Sequence, residues 1–79
     1  MGGMGGLKPI SWRIFDKFLI LQGCELKRVR GDHLIYNRAG LIRPLVVPKI
    51  NNIPVFIIQN NLRLLSVDSY DFLEWLKEN

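Results

Sequence analysis

The stretch CELKRVRGDHLIYN, which runs from Cys24 to Asn37, decides the predicted fold of this chain. Apolar and polar residues alternate at the start of Cys24–Arg30, which is the period of a β-strand, although the phase becomes uncertain at Arg28–Val29. Gly31–Asp32 then predicts a tight turn or a bulge, and His33–Asn37 is short and rich in strand-forming residues. We therefore expect an antiparallel hairpin here.

A third strand is predicted to follow this hairpin. Asn37–Gly40 has Asn first and Gly last, which is typical of a type I turn. Leu41–Pro48 is apolar and β-rich, and Pro44 within it indicates an edge strand because proline cannot donate to a neighbouring strand.

Helical patterns flank the strands. Ile10–Gln22 has apolar residues at helical spacing, with Ser11 as a plausible N-cap and Gly23 where a left-handed C-terminal residue is favoured. Val55–Leu65 predicts a second helix, with Pro54 in its first turn.

A short last helix is predicted over Tyr70–Leu76, with Asp68 as its cap. The order helix, three strands, helix, short helix predicts an α+β domain with a three-stranded antiparallel sheet and helices on one face. Residues 7–79 form this single domain, and Met1–Gly6 is interpreted as a flexible leader.

The composition excludes several classes of site. One cysteine cannot form an intrachain disulfide, and one cysteine with one histidine cannot make a zinc site of the usual four-ligand kind. We expect no metal and no cofactor. The sequence has no phosphate-binding glycine loop between a strand and a helix. It also has neither a membrane-spanning apolar run nor a signal-peptide pattern, so we expect a cytoplasmic protein. Its oligomeric state is left open, with a monomer as the expectation for the free protein.

Charge is unevenly distributed along the chain. The net charge is +4, and cations predominate between residues 25 and 49, whereas residues 66–79 are mainly acidic. A basic middle favours a polyanion such as RNA, while the alternative is a solvated sheet face that discourages aggregation. The candidate RNA-binding residues are Lys27, Arg28, Arg30, Arg43 and Lys49, with Tyr36 and Trp12 as aromatic side chains that could stack on bases or pack in the core.

His33 is the only histidine, and it is the candidate catalytic residue. Alternation along the strand places His33 and Ile35 opposite Leu34 and Tyr36, which favours His33 on the face without helices. An imidazole on a basic surface can take a proton from a ribose 2′-hydroxyl or give one to the leaving 5′-oxygen. The alternative is an ordinary surface histidine. Cys24 is interpreted as a small core residue.

The chain resembles the HicA toxin family, the small messenger-RNA interferases of HicAB toxin–antitoxin systems. The resemblance covers most of residues 10–76. It rests on the helix ending at Gly23, on Gly31-Asp32-His33 leading into Leu34-Ile35-Tyr36, on Val46-Val47-Pro48, and on Leu62-Arg63 and Tyr70-Asp71-Phe72-Leu73.

This resemblance implies a double-stranded-RNA-binding-domain-like fold and a metal-independent endoribonuclease that cleaves mRNA. It implies His33 as the catalytic residue, Gly31 as the motif glycine, and a HicB-like antitoxin as the protein partner. Asp32 stands where the family has serine, and Lys49 follows Val47-Pro48 where many relatives have a second histidine. These departures leave open an inactive relative that binds RNA or an antitoxin.

Overall fold

Six elements follow one another in the computed structural model, which describes residues 6–79. In chain order they are α1 (Trp12–Leu21), β1 (Glu25–Arg30), β2 (His33–Asn37), β3 (Leu45–Pro48), α2 (Val55–Leu65) and α3 (Ser69–Leu76). The strands form one antiparallel sheet in the order β1-β2-β3. The predicted α+β architecture and the element order are confirmed.

The start of the domain lies close to its end. Residues 1–5 of the predicted leader lie outside the described residues, so the interpretation of that segment stays a prediction. Gly6 is described, and a Cβ added to it would lie 3.0 Å from Cδ1 of Leu73 in α3. Leu7 is already buried in the core. Gly6 therefore lies close to α3.

The first helix begins and ends as its sequence predicts, within two residues. The Ser11 hydroxyl accepts a hydrogen bond from the Arg13 amide at 3.2 Å, which satisfies one of the first-turn donors. Gly23 has φ of +86°, a conformation that costs little for glycine. The predicted Ile10–Gln22 is longer than α1 because Ser11 itself is extended, with ψ of 147°.

The other two helices also follow their sequence signals. α2 has the predicted bounds, but Pro54 is its N-cap, with extended ψ of 146°, instead of a residue of its first turn. α3 begins one residue earlier than predicted, and the Asp68 carboxylate accepts a hydrogen bond from the Tyr70 amide at 3.0 Å. Both helices therefore start where a cap or a proline ends the preceding extended chain.

The third strand is shorter than predicted, and the turn before it is displaced by one residue. The Leu41 amide donates to the Arg38 carbonyl at 3.1 Å, so the turn spans residues 38–41 and not Asn37–Gly40. Gly40, the third residue of this turn, has φ of +90°, which is the type II and not the type I pattern. β3 then begins only at Leu45, directly after Pro44, which lies outside the ladder.

One face of the sheet packs on the helices and forms the core. Leu34, Tyr36, Leu45 and Val47 lie on this face and are fully or almost fully buried. The ring of Phe72 from α3 lies against Phe15 and Phe18 of α1, with centroid separations of 5.7 and 4.8 Å and edge-to-face geometry. Cys24 is in this core as predicted, and burial raises the pKa of its thiol.

Tyr36 joins the sheet to α1. Its hydroxyl donates a hydrogen bond to the Asp16 carboxylate. Burial, then this hydrogen bond and the Asp16 charge, raise the pKa of Tyr36 well above its ordinary value. The phenol therefore stays neutral in the folded chain at a pH where it would ionise in the unfolded chain.

We expect this difference to destabilise the protein in alkali. The contribution is fully present below pH 10, the ordinary pKa of tyrosine, and is lost as the pH rises above it. Urea unfolding at neutral pH and above pH 10 should show a smaller alkaline loss of unfolding free energy in Tyr36→Phe than in the wild type. Tyr70→Phe, at an exposed tyrosine, is the control and should behave as wild type. Equal alkaline losses in Tyr36→Phe and the wild type would contradict the assignment.

Candidate nucleic-acid interface

A β-bulge in β1 decides which of its side chains lie on the face of the sheet away from the helices, here called the open face. Leu26 pairs with Tyr36 and Arg28 pairs with Ile35, so Lys27 is an extra residue between them. Cross-strand partners point to the same face, and Arg28 therefore shares the open face with Ile35. Without the bulge, Arg28 would point toward the helices, because a one-residue slip exchanges the two faces.

The bulge collects cations on the open face. Lys27 lies there too, since its ammonium group is 3.1 Å from the carboxylate of Glu25, whose partner Asn37 is on that face. Arg30 follows Arg28 by two residues and pairs with His33. Within residues 6–79, Arg28 and Arg30 form no salt bridge. Two guanidinium groups therefore remain available beside the histidine.

His33 begins β2 on the open face, as predicted. It is exposed, whereas its neighbour Leu34 is buried. Its cross-strand partners are Arg30 on β1 and Pro48 on β3, so the imidazole lies between a guanidinium and a proline ring. Neither neighbour transfers protons at neutral pH. The Asp32 carboxylate in the adjoining turn is the nearest acid along the chain.

Gly31 shapes the turn that presents His33. It has φ of +59° and is the first central residue of a two-residue hairpin turn, which is the pattern of a type II′ turn. The turn is anchored because the Lys49 amide donates to the Asp32 carbonyl at 2.7 Å. The motif glycine thus has a backbone role that does not depend on RNA.

His33 lies at the junction of two surface concavities. The first, of about 550 Å³, lies on the open face and is lined by Arg30, Gly31, His33, Ile35 and Val46. The second, of about 360 Å³, lies between β3 and α2, and Arg43 is at its rim. The structure therefore brings Arg28, Arg30, Gly31 and Arg43 to the same side as His33.

Two predicted site residues lie elsewhere. Tyr36 is completely buried on the helix side of the sheet, so its ring cannot stack on a base as predicted. The side chain of Lys49 points to Trp12, with its ammonium nitrogen 5.4 Å from the ring centroid. Lys49 follows Pro48 by one residue, and the alternation of side chains directs it away from His33.

Arg38, a further cation of the basic middle, has a structural role. Its guanidinium donates to the Gln22 carbonyl at 3.0 Å, at the C-terminal end of α1. A cation there satisfies a free carbonyl and interacts favourably with the helix dipole.

The sequence interpretation missed Asn60 and Asn61 on α2. Asn61 is only 4% exposed, and its amide donates to the Val46 carbonyl at 3.4 Å and to the Ile57 carbonyl at 3.1 Å. Asn60 lines the second concavity beside it. A pair of asparagines inside an apolar helix was the available signal, since asparagine is a poor helix former and needs another reason to be there.

Residues 6–79 contain no cluster of three or more His, Cys, Asp or Glu side chains that could hold a metal ion. No helix in this range is long and apolar enough to cross a membrane.

Comparison with known proteins gives one distant relative. An uncharacterized protein of Acanthamoeba polyphaga mimivirus is 40% identical to this chain over 78 residues, which cover 90% of this chain and 46% of the relative. No family model and no solved structure matches. The chain thus spans about half the length of the curated relative that it matches.

Proposed function

We propose that this protein is a metal-independent endoribonuclease of the HicA kind, in which His33 acts as general acid and base. The observation that supports it most directly is the position of His33, exposed on the open face beside Arg30 and within the larger concavity. An imidazole there can take the proton of a ribose 2′-hydroxyl, and the guanidinium can stabilise the charge that develops on the phosphate.

The resemblance to HicA supports the biological setting of this proposal. The three strands and first two helices have the order expected of a double-stranded-RNA-binding-domain-like fold, which we propose for this chain. The protein would be the toxin of a type II toxin–antitoxin system, acting on mRNA. A HicB-like antitoxin with an acidic surface would complement the cations of the open face.

The test is cleavage of an unstructured RNA by the purified protein in the presence of EDTA. Attack by the 2′-hydroxyl leaves a 2′,3′-cyclic phosphate and a 5′-hydroxyl, and we expect these ends in the products. Cleavage that depends on added magnesium, or products with 5′-phosphates, would contradict the proposed chemistry.

A second candidate function is RNA binding without cleavage. The observation in its favour is that the cross-strand neighbours of His33 are Arg30 and Pro48, so no second proton-transfer group stands directly beside the imidazole. This function predicts RNA complexes that form without any cleavage product.

Either function predicts salt-sensitive binding through the open face. Neutralising one cation that contacts a phosphate reduces the slope of log binding constant against log salt by about 0.7 for single strands. We expect Arg28→Gln to show this reduction in a fluorescence-anisotropy titration at several salt concentrations. Lys17→Gln, which removes an exposed cation from α1 on the other side of the sheet, should keep the wild-type slope. A reduced slope for Lys17→Gln with an unchanged slope for Arg28→Gln would mean that RNA binds the helix side of the sheet.

A further inference from the structure

We propose that the concavity between β3 and α2 is a nucleobase-binding pocket next to His33. This inference rests on the proposed function. The base that enters the pocket belongs to the RNA bound at His33, and its recognition selects where on the RNA the protein binds. This concavity is the β3–α2 groove.

The walls of the β3–α2 groove suit a flat aromatic ring. Pro44, Val46 and Pro48 line one side, and Ile57 and Leu64 line the other. The volume of about 360 Å³ is within the range of roughly 300–1,000 Å³ that is usual for small-molecule sites. Apolar walls with a few polar groups are typical of such sites, and an aromatic base has two faces that can pack against them.

The polar groups of the groove lie at its floor and rim. The Val46 carbonyl accepts from Asn61, so it points away from β2 and toward α2. In an antiparallel strand the amide of the same residue points to the same edge, and the Val46 N–H is therefore directed into the groove. Asn60, at the rim, accepts from Arg63 through Oδ1 at 3.3 Å, which leaves its NH₂ group to donate. These donors match the acceptor groups on the edge of a base.

The charges around the groove suit a nucleotide and not a bare apolar ligand. Arg43 is exposed at the rim, and His33 lines both this groove and the larger concavity that contains Arg30. A nucleotide whose base enters the groove would therefore place its phosphates between Arg43 and the open face, where cations stabilise them.

The edge of β3 is also poorly suited to a protein strand. Positions 44, 46 and 48 direct their backbone groups outward, but Pro44 and Pro48 have no amide proton. The Val46 amide is therefore the one outward donor among these three positions, and the Val46 carbonyl is already bonded to Asn61. Strand addition needs a row of donors and acceptors, which this edge does not offer.

The test is an amide NMR titration of the full chain with each of the four nucleoside 3′-monophosphates. We expect shifts of the Val46 amide and the Asn60 side-chain amide, with at least one base bound about tenfold more tightly than another. Ribose 5-phosphate should shift residues near Arg43 but not Asn60. The Asn60→Leu variant should bind the preferred nucleotide about tenfold more weakly than the wild type, as expected for loss of a hydrogen-bonding contact to a base.

Matched variants separate base recognition from charge and from folding. Asn51→Leu makes the same change on an exposed loop outside the groove and should bind as wild type. Arg43→Gln should lower the affinity for all four nucleotides and for ribose 5-phosphate by the same factor. Identical groove shifts with ribose 5-phosphate, or no groove shifts at millimolar nucleotide, would overturn the proposal. Tighter groove binding of N-acetylleucine amide would do so too, because it would identify the groove as a site for a protein side chain.

Cleavage separates this inference from the proposed function. If the wild type binds nucleotides in the groove but cuts no RNA, the endoribonuclease proposal fails and the base pocket stands. If RNA is cut and Asn60→Leu leaves the preference among cleavage sites unchanged, the base pocket fails and the endoribonuclease proposal stands.

Discussion

Replacing His33 with alanine should lower RNA cleavage by about 10²–10⁴-fold, which is the usual contribution of one general acid–base group. The imidazole is exposed, so the variant should keep the wild-type fold. Its unfolding free energy should stay within about 0.5 kcal/mol of wild type, as is normal for surface positions. The loss of cleavage would then come from the chemical step and not from unfolding of the variant.

The comparison needs a control that changes the surface but not the site. Lys17→Ala removes an exposed cationic side chain from α1, on the opposite side of the sheet, and should cleave at the wild-type rate. His33→Ala should still bind RNA, because Arg28, Arg30 and Arg43 remain. Equal cleavage by His33→Ala and the wild type would remove His33 from the mechanism.

Phe72→Ala should destabilise the protein by about 3–5 kcal/mol, the usual cost of removing a buried phenylalanine. Phe72 is completely buried, and its ring contacts Phe15 and Phe18 of α1 and is stacked with Trp75 at 6.2 Å. Domains have roughly 0.05–0.15 kcal/mol of stability per residue, so this loss is a large part of the total. We expect a fall in melting temperature of about 15 °C or more, measured by circular dichroism.

Tyr70→Ala is the matched control for this prediction. Tyr70 is also an aromatic residue of α3, but its side chain is 63% exposed, and its removal should change the unfolding free energy by less than about 0.5 kcal/mol. A wild-type melting temperature for Phe72→Ala would mean that α3 does not complete the core.

The elements of this fold were predictable because their signals are local. The side chains of Ser11 and Asp68 cap the helices that begin directly after them. Gly23 adopts a positive φ, which other residues avoid. The hairpin at Gly31–Asp32 was predictable for the same reason. The start of β3 was not, because Leu41 and Ile42 have strand-forming side chains, whereas Leu41 belongs to the turn at 38–41 and the ladder begins only at Leu45.

The candidate site was only partly predictable. Alternation along five residues was enough to place His33 on the open face, because β2 is regular and one of its faces is buried. It was not enough for β1, where the phase was uncertain at Arg28–Val29 and the bulge at Lys27 decides the face of Arg28 and Arg30. The groove residue Asn60 was missed because its contribution requires α2 to lie along the edge of β3.

The sequence by itself determined the helices, the hairpin and the identity of the one imidazole, because caps, turns and hydrophobic periods act within a few residues. Only the tertiary structure decided that Tyr36 is enclosed in the core, that Lys49 turns to Trp12, and that Arg28 and Arg30 share a face with His33. The physical reason is strand register. A side chain's face depends on how its strand pairs with the next, and a single extra residue in β1 exchanges the two faces.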